Sequence, residues 1–336
     1  MKRLGRRKFL SAAVIGGGSL LAPGLLSGQS RVEETAGKIP AKEKESTDKW
    51  FTRRLDEMTS REVEFYLNEG GDLVFVPYGP VSGHGALIPM GMHAHWASAL
   101  SLLLAKRANG LIFPPIYTVQ AGATQTFRGT VSFSSRDQAL ILKEVARDLF
   151  NGGFRRVVLV AGTNPEDAGG KIAVRELFEE FGRPFWSIVG ERLLTAPEVR
   201  AIYKDYPGNF GETLLCLASM KIIGRERPIP AANWAQDINN RKNEEWDQPQ
   251  EIQGDINEIR KWGDIGFRYY EEGQHGNHGN AGIMFNGRLD IDMAVEVLEK
   301  CADIALPALD RLSHYSKWME NHPFQFIKAS ERLNER

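Results

Sequence analysis

Three of the seven histidines, His84, His93 and His95, fall within twelve residues of chain. They sit in or beside a glycine-rich stretch from Tyr78 to Gly91 that carries Gly79, Gly83, Gly85 and Gly91. Imidazole is a borderline ligand that suits Zn²⁺, Mn²⁺ or Fe²⁺, and glycine lets backbone wrap closely around an ion. The cluster therefore points to a divalent-metal site. A plainer reading is that His84 hydrogen-bonds its own loop and His95 merely begins the next helix. The i, i+2 spacing of His93 and His95 suits a loop or extended segment better than one helix face. A second pair, His275 and His278, lies in a Gly- and Asn-rich stretch over 273–282. It matches neither a dinucleotide fingerprint nor a P-loop. It reads as a tight turn, or as a substrate-contacting loop whose imidazole moves a proton near neutrality. No Gly-x-Ser-x-Gly elbow is present, and neither Cys216 nor Cys301 has a histidine beside it in sequence. Nucleophilic serine or cysteine chemistry thus has little support.

Elements that would hold these residues are visible in the apolar patterning. Leu73 to Pro77, Leu111 to Phe113, Val157 to Gly162 and Ser187 to Val189 are short continuous apolar runs, as in buried parallel strands. Helical spacing is found over Arg53–Asn68, His95–Arg107, Arg136–Phe150, Gly170–Phe181, Gly211–Ile223 and Met293–Leu312. Thr59-Ser60-Arg61-Glu62 offers a capping box at the start of the first helix. Strands alternating with helices predict an α/β fold, a mostly parallel sheet flanked by helices in three α/β/α layers. Its chemistry belongs in the loops that follow the strands: Tyr78–Gly91, Ile116–Thr130 and Gly162–Gly170. Residues 228–272 are rich in Trp, Asn and charge with little periodicity, and read as an insertion or lid. Trp186, Trp234 and Trp246 fit a pocket wall or ordinary packing equally well.

The first loop, with its order Pro-x-Gly-x-x-x-x-His-Gly-x-x-x-Pro-x-Gly from Pro77 to Gly91, resembles the opening loop of the creatininase (creatinine amidohydrolase) family. Three further pieces match in order. These are Phe113-Pro114-Pro115-Ile116, Phe127-Arg128-Gly129-Thr130-Val131-Ser132 and Gly152-Gly153-Phe154-Arg155-Arg156-Val157-Val158. The resemblance covers residues 70 to 225 and is patchy beyond. It implies a metal-dependent hydrolase of C–N bonds with a binuclear centre, often assembled as a hexamer. It also implies altered ligands. Ser82 stands where the family has Glu, His84 is kept, His93 takes the place of the bridging Asp, and Thr163 takes that of a His. Pro165 fills a slot where some members have a ligating Glu, with Glu166 next to it. Glu212 matches the Glu of a later His-Ala-Gly-Glu segment whose His is lost. A bridging carboxylate holds two cations close together, so its loss to an imidazole argues against a binuclear centre.

The chain has 336 residues, 42% hydrophobic and 25% charged, enough for a sizeable core. With 42 Lys plus Arg against 43 Asp plus Glu the net charge is −1, so no basic field favours nucleic acid. Two cysteines make neither a disulfide framework nor a thiolate zinc cluster. The first 30 residues carry a basic head, then an apolar stretch broken by Gly and Pro. Gly5-Arg6-Arg7-Lys8-Phe9-Leu10-Ser11 resembles the twin-arginine export signal, which predicts a periplasmic or otherwise exported protein with no stable membrane anchor after signal removal. Residues 31–69 read as a linker and leading helix, 70–315 as the α/β domain and 316–336 as a polar tail. The expected site has His84, His93 and His95 on one divalent ion, zinc first, with manganese or iron as alternatives. Glu166 or Glu212 would move protons. Ser82, Thr163, Asn164, His275 and His278 would contact a small polar substrate of a homo-oligomeric hydrolase. Two rivals stay open: a metal-free binding protein on the same fold, and a metal-dependent lyase or isomerase acting on a sugar-like substrate.

Overall fold

The computed structural model describes residues 50–84, 88–126, 128–162, 167–205, 211–226, 254–255, 258–259, 261–262 and 290–322. Four strands, β1 (Leu73–Tyr78), β2 (Leu111–Ile112), β3 (Arg156–Ala161) and β4 (Trp186–Val189), pair in the order β2-β1-β3-β4, all parallel. Every residue of β1 is buried, because helices cover both faces of the sheet. Alternate residues part between two cores. Leu73, Phe75, Val158 and Val160 face one side, with α2 (Met92–Ala108), α7 (Glu212–Ile222) and α8 (Ile291–Asn321). Val74, Val76, Val157 and Leu159 face the other, with α1 (Ser60–Asn68), α3 (Ser135–Asn151) and α4 (Asp167–Phe181). The expected three-layer α/β/α architecture is the one found.

Local chemistry accounts for the boundaries. Thr59 accepts from the Glu62 backbone N–H and the Glu62 carboxylate returns the bond, completing the capping box. Ser134 caps α3 and Asp290 caps α8 in the same one-sided way. Two short helices, α5 (Gly190–Leu194) and α6 (Pro197–Tyr203), follow β4 and carry too few residues for a periodic signal. The last helix does not end at Leu312 as the spacing predicts. It continues through the expected tail boundary to Asn321, with Met319 buried and Arg183 paired to Glu320.

The connection β1–α2–β2 runs one way along the sheet, and β2–α3–β3–α4–β4 runs the other, so α2 lies on the face opposite α3 and α4. The strand order thus reverses between β1 and β3. A crevice forms above the carboxyl ends of adjacent parallel strands at such a switch point. Two glycines bring the start of α2 into this crevice. A Cβ on Gly79, just after β1, would lie 2.4 Å from the Ala94 backbone nitrogen, and one on Gly162, just after β3, 2.8 Å from the His93 carbonyl oxygen. Only glycine allows helix and strand ends to meet this closely.

Candidate metal centre

The loop after β1 folds back on itself. Ser82 N–H donates to the Met90 carbonyl at 2.9 Å, and Gly83 N–H donates to Thr130 Oγ1 at 3.0 Å. Val81 pairs antiparallel with Val131, whose N–H reaches the Val81 carbonyl at 2.9 Å. The segment 128–132 therefore clasps the loop and fixes His84, which is 3% exposed. His93, the second residue of α2, is 6% exposed and is set in place by the contacts at Gly79 and Gly162. Glu212 opens α7, where the positive end of the helix dipole favours a carboxylate. Its side chain stays partly open to solvent.

These three side chains converge. His84 Nε2 lies 2.8 Å from His93 Nε2 and 2.9 Å from Ser82 Oγ, and His84 Nδ1 lies 3.3 Å from Glu212 Oε2. The rings are 4.5 Å apart, centroid to centroid. A carboxylate only accepts, so His84 donates from Nδ1 to Glu212. In the neutral ring the Nε2 lone pair then faces Ser82 Oγ and His93 Nε2, and it accepts from one of the two at a time. This is the carboxylate–histidine arrangement that presents an imidazole nitrogen to a metal.

One ion between the two Nε2 atoms fits this set, with Glu212 behind His84 as its hydrogen-bond partner. Ligand atoms from His84, His93 and Glu212 all lie within 4.8 Å of one another. Two imidazole nitrogens on one tetrahedral ion, with bonds of about 2.0–2.1 Å, stand about 3.3 Å apart. Half an ångström of spreading from the present 2.8 Å reaches that distance. Among the described residues the group holds a single carboxylate, which gives little negative charge to offset the repulsion between two dications.

His95 does not join the group. Both His93 and His95 lie on α2 rather than in a loop, and side chains two apart on a helix point about 200° away from each other. The His95 ring instead packs beside Gly91, its Nδ1 buried without a hydrogen-bond partner among the described residues. Burial, then the charge of Arg225, draws its pKa down. Ser82 is brought in against His84, a contact that spacing alone does not reveal. Thr163, Asn164, Glu166, His275, His278 and most of 228–272 lie outside the described residues.

The sequence profile described as creatininase, creatinine amidohydrolase, matches residues 56–251. The chain belongs to the creatininase family. No curated protein matches it in sequence. Solved creatininase structures share the fold. One creatinine amidohydrolase is 18% identical, with a TM-score of 0.56 over 78% of this chain and 98% of its own. A manganese creatininase is 20% identical, with a TM-score of 0.54 over 76% and 98%. A creatininase variant of the Zn–Zn type is 18% identical, with a TM-score of 0.53 over 77% and 98%. At such identities creatininases speak for the architecture, and the ligand set has to be judged on its own residues.

Proposed function

We propose that this creatininase-family chain is a single-metal amidohydrolase that cleaves an amide, cyclic amide or related C–N bond of a small polar molecule. The observation that carries this reading is the convergence of His84, His93 and Glu212 at the sheet's switch point. A divalent ion there, zinc first and manganese or iron as alternatives, supplies Lewis-acid polarisation of a carbonyl and a more acidic water. Manganese and Zn–Zn creatininases support that range of metals. Glu212 holds His84 in the tautomer that presents Nε2. Its partly exposed carboxylate is also placed to take up a proton and pass it to a leaving amine, a task Glu166 would share. His93, in the slot of a bridging carboxylate, adds a donor without adding negative charge. The family resemblance supports assembly into a homo-oligomer, with the hexamer as the leading form.

Elemental analysis of the purified chain, paired with release of amine from a panel of small amides, cyclic amides and ureas, tests the proposal. About one ion per chain is expected, with amide cleavage that chelation removes and zinc or manganese restores. Two ions per chain would refute the single-metal site. An absence of metal, together with tight binding of a small polar ligand, would favour the rival reading of a binding protein. That reading draws on the loss of two family ligands at Ser82 and Thr163.

A further inference from the structure

The sequence piece from Phe127 to Ser132 carries no residue of the converging group, yet Gly129 to Ser132 hold the loop that carries His84. Gly129 turns the chain with a φ of +83°, a conformation that favours glycine, and a Cβ there would stand 3.1 Å from Met90 Cε. Thr130 Oγ1 then accepts from Gly83 N–H at 3.0 Å, across 47 positions of sequence. Val131 N–H donates to the Val81 carbonyl at 2.9 Å. Ser132 Oγ accepts from Ala121 N–H at 3.0 Å, and Phe133 N–H donates to the Val119 carbonyl at 3.1 Å. The same segment is therefore tied to the loop after β2. These contacts close into a ring. Ser82 N–H is held by the Met90 carbonyl at 2.9 Å, Met90 packs on Gly129, and Thr130, next in the chain, returns to Gly83.

We propose that Thr130 is the positioning residue of the site, its hydroxyl holding the peptide between Ser82 and Gly83 and so setting where the His84 ring stands. Gly83 immediately precedes His84, and glycine has the widest choice of backbone angles of any residue. It also has no side chain through which packing could restrain it. A rotation at Gly83 swings the histidine that follows, and the site leaves little slack. His84 Nε2 lies 2.8 Å from His93 Nε2, and His84 Nδ1 lies 3.3 Å from Glu212 Oε2. Two other anchors of this loop, the Met90 carbonyl on Ser82 and Val131 N–H on Val81, are backbone groups that almost any residue would supply. Thr130 instead lends a side chain, so the bond to Gly83 is one that residue type decides. Valine matches threonine in shape but puts a methyl where the hydroxyl stands, and it would leave the Gly83 N–H without this partner. The inference holds whichever chemistry His84 performs and does not rest on the single-metal reading.

Purified full-length protein is compared as wild type, Thr130→Val, Thr130→Ser and Thr59→Ala. The last removes the cap of α1 and lowers stability away from the site. Amide exchange at Gly83, the place of the His84 ring in crystals and zinc affinity by equilibrium dialysis are measured on each. In Thr130→Val, exchange at Gly83 should be at least about tenfold faster, because its protecting bond is gone. The 3.3 Å contact between His84 and Glu212 should open beyond hydrogen-bonding distance. Zinc affinity should fall at least about tenfold, in the range seen when the support of a ligating histidine is lost. Thr130→Ser keeps the acceptor and should recover most of each change. Thr59→Ala should lower the denaturant midpoint and alter none of them. Thr130→Ala takes the place of Thr130→Val should the latter not fold. A Gly83 amide that exchanges freely in wild type overturns the proposal. So does Thr130→Val with His84 in its wild-type place, even where Gly83 exchanges faster, for Thr130 would then hold the loop and nothing more. A wild type that takes up no zinc sinks the single-metal hydrolase alone, and Thr130 is then judged by exchange and ring position.

Discussion

A nitrogen lone pair on His84 decides what this site can do, and a proton on the other side of the same ring decides where that lone pair points. Glu212 fixes the proton across 3.3 Å, although the two residues are 128 positions apart in sequence. The role is testable because a carboxamide of the same shape cannot supply the negative charge. Glu212→Gln should weaken metal binding by about 10- to 100-fold, the usual cost of losing an outer partner of a ligating histidine. His84→Ala should abolish binding. Equilibrium dialysis against zinc reads both, and unchanged affinity in Glu212→Gln would remove the carboxylate from the site. His93→Asp is the sharper variant, for it restores the family's residue at that position. A second cation would still lack donors at Ser82, so the variant should not gain two ions, and it should hold its single ion much less well than wild type. Recovery of two ions per chain would show that His93 alone had shut the second site.

Elements carry the residues into place, and the closest tolerances lie where α2 meets the ends of β1 and β3. Gly79→Ala puts a methyl group 2.4 Å from the Ala94 backbone nitrogen and 2.8 Å from His93 Cβ, so the helix has to move. A cost of about 1–3 kcal/mol is expected, as for other overpacked positions. Metal affinity should fall with it, because His93 rides on the displaced turn. Gly224→Ala is the contrast: among the described residues nothing lies within 4 Å of its Cβ, and its positive φ is what opposes the change, so metal binding should be untouched. Denaturant midpoints and zinc titrations of the two variants separate packing from backbone strain. The buried helices make another prediction. Cys216 and Cys301 are buried on α7 and α8, and burial pushes the Cys301 thiol up to about 12 from an ordinary 9.0. Native protein should therefore resist thiol reagents until it unfolds. A raised thiol pKa means the unfolded chain releases its proton first. The contribution of Cys301 to stability is thus intact below about pH 9 and is lost as pH rises toward about 12. Urea midpoints at pH 8 and 10 should converge between wild type and Cys301→Ala.

How much of this the sequence discloses follows from what each part rests on. The strands are legible because burial on both faces leaves continuous runs such as Leu73–Pro77. Capping at Thr59 is legible because Glu62 stands three residues on. His95 misleads because i, i+2 histidines look like a loop, whereas a helix starting at Met92 turns them apart. The last turns of α8 are hidden by Ser313, Ser316 and Lys317, which break the apolar stripe although Met319 beyond them is buried. Ser82 and Glu212 join His84 only through the fold.

At the scale of the whole molecule, the described residues and the first thirty pose separate physical problems. No helix among the described residues is long and apolar enough to cross a membrane. The net charge of −1 gives no long-range pull toward an anionic surface. We propose that the protein is carried out of the cytoplasm and that the address is read from the head of the chain. We propose that the reader is the twin-arginine pathway, which carries proteins already folded. That route suits a site assembled from two distant parts of the chain, since Glu212 meets His84 and His93 only after the sheet has formed. The proposal separates charge from shape. Lysine keeps the positive charge of Arg6 and Arg7 but not the planar, five-donor guanidinium. If the paired guanidinium groups are what is read, Arg6→Lys with Arg7→Lys should leave the protein folded, metal-binding and confined to the cytoplasm, with at least about a tenfold loss of periplasmic protein. Cell fractionation with an antibody to the chain measures this, and zinc content of the retained fraction shows whether the site is built before transport. Normal periplasmic accumulation of the double variant would mean that charge alone is recognised, and the route would have to be reassigned to a pathway that threads unfolded chains and leaves the metal to be acquired outside.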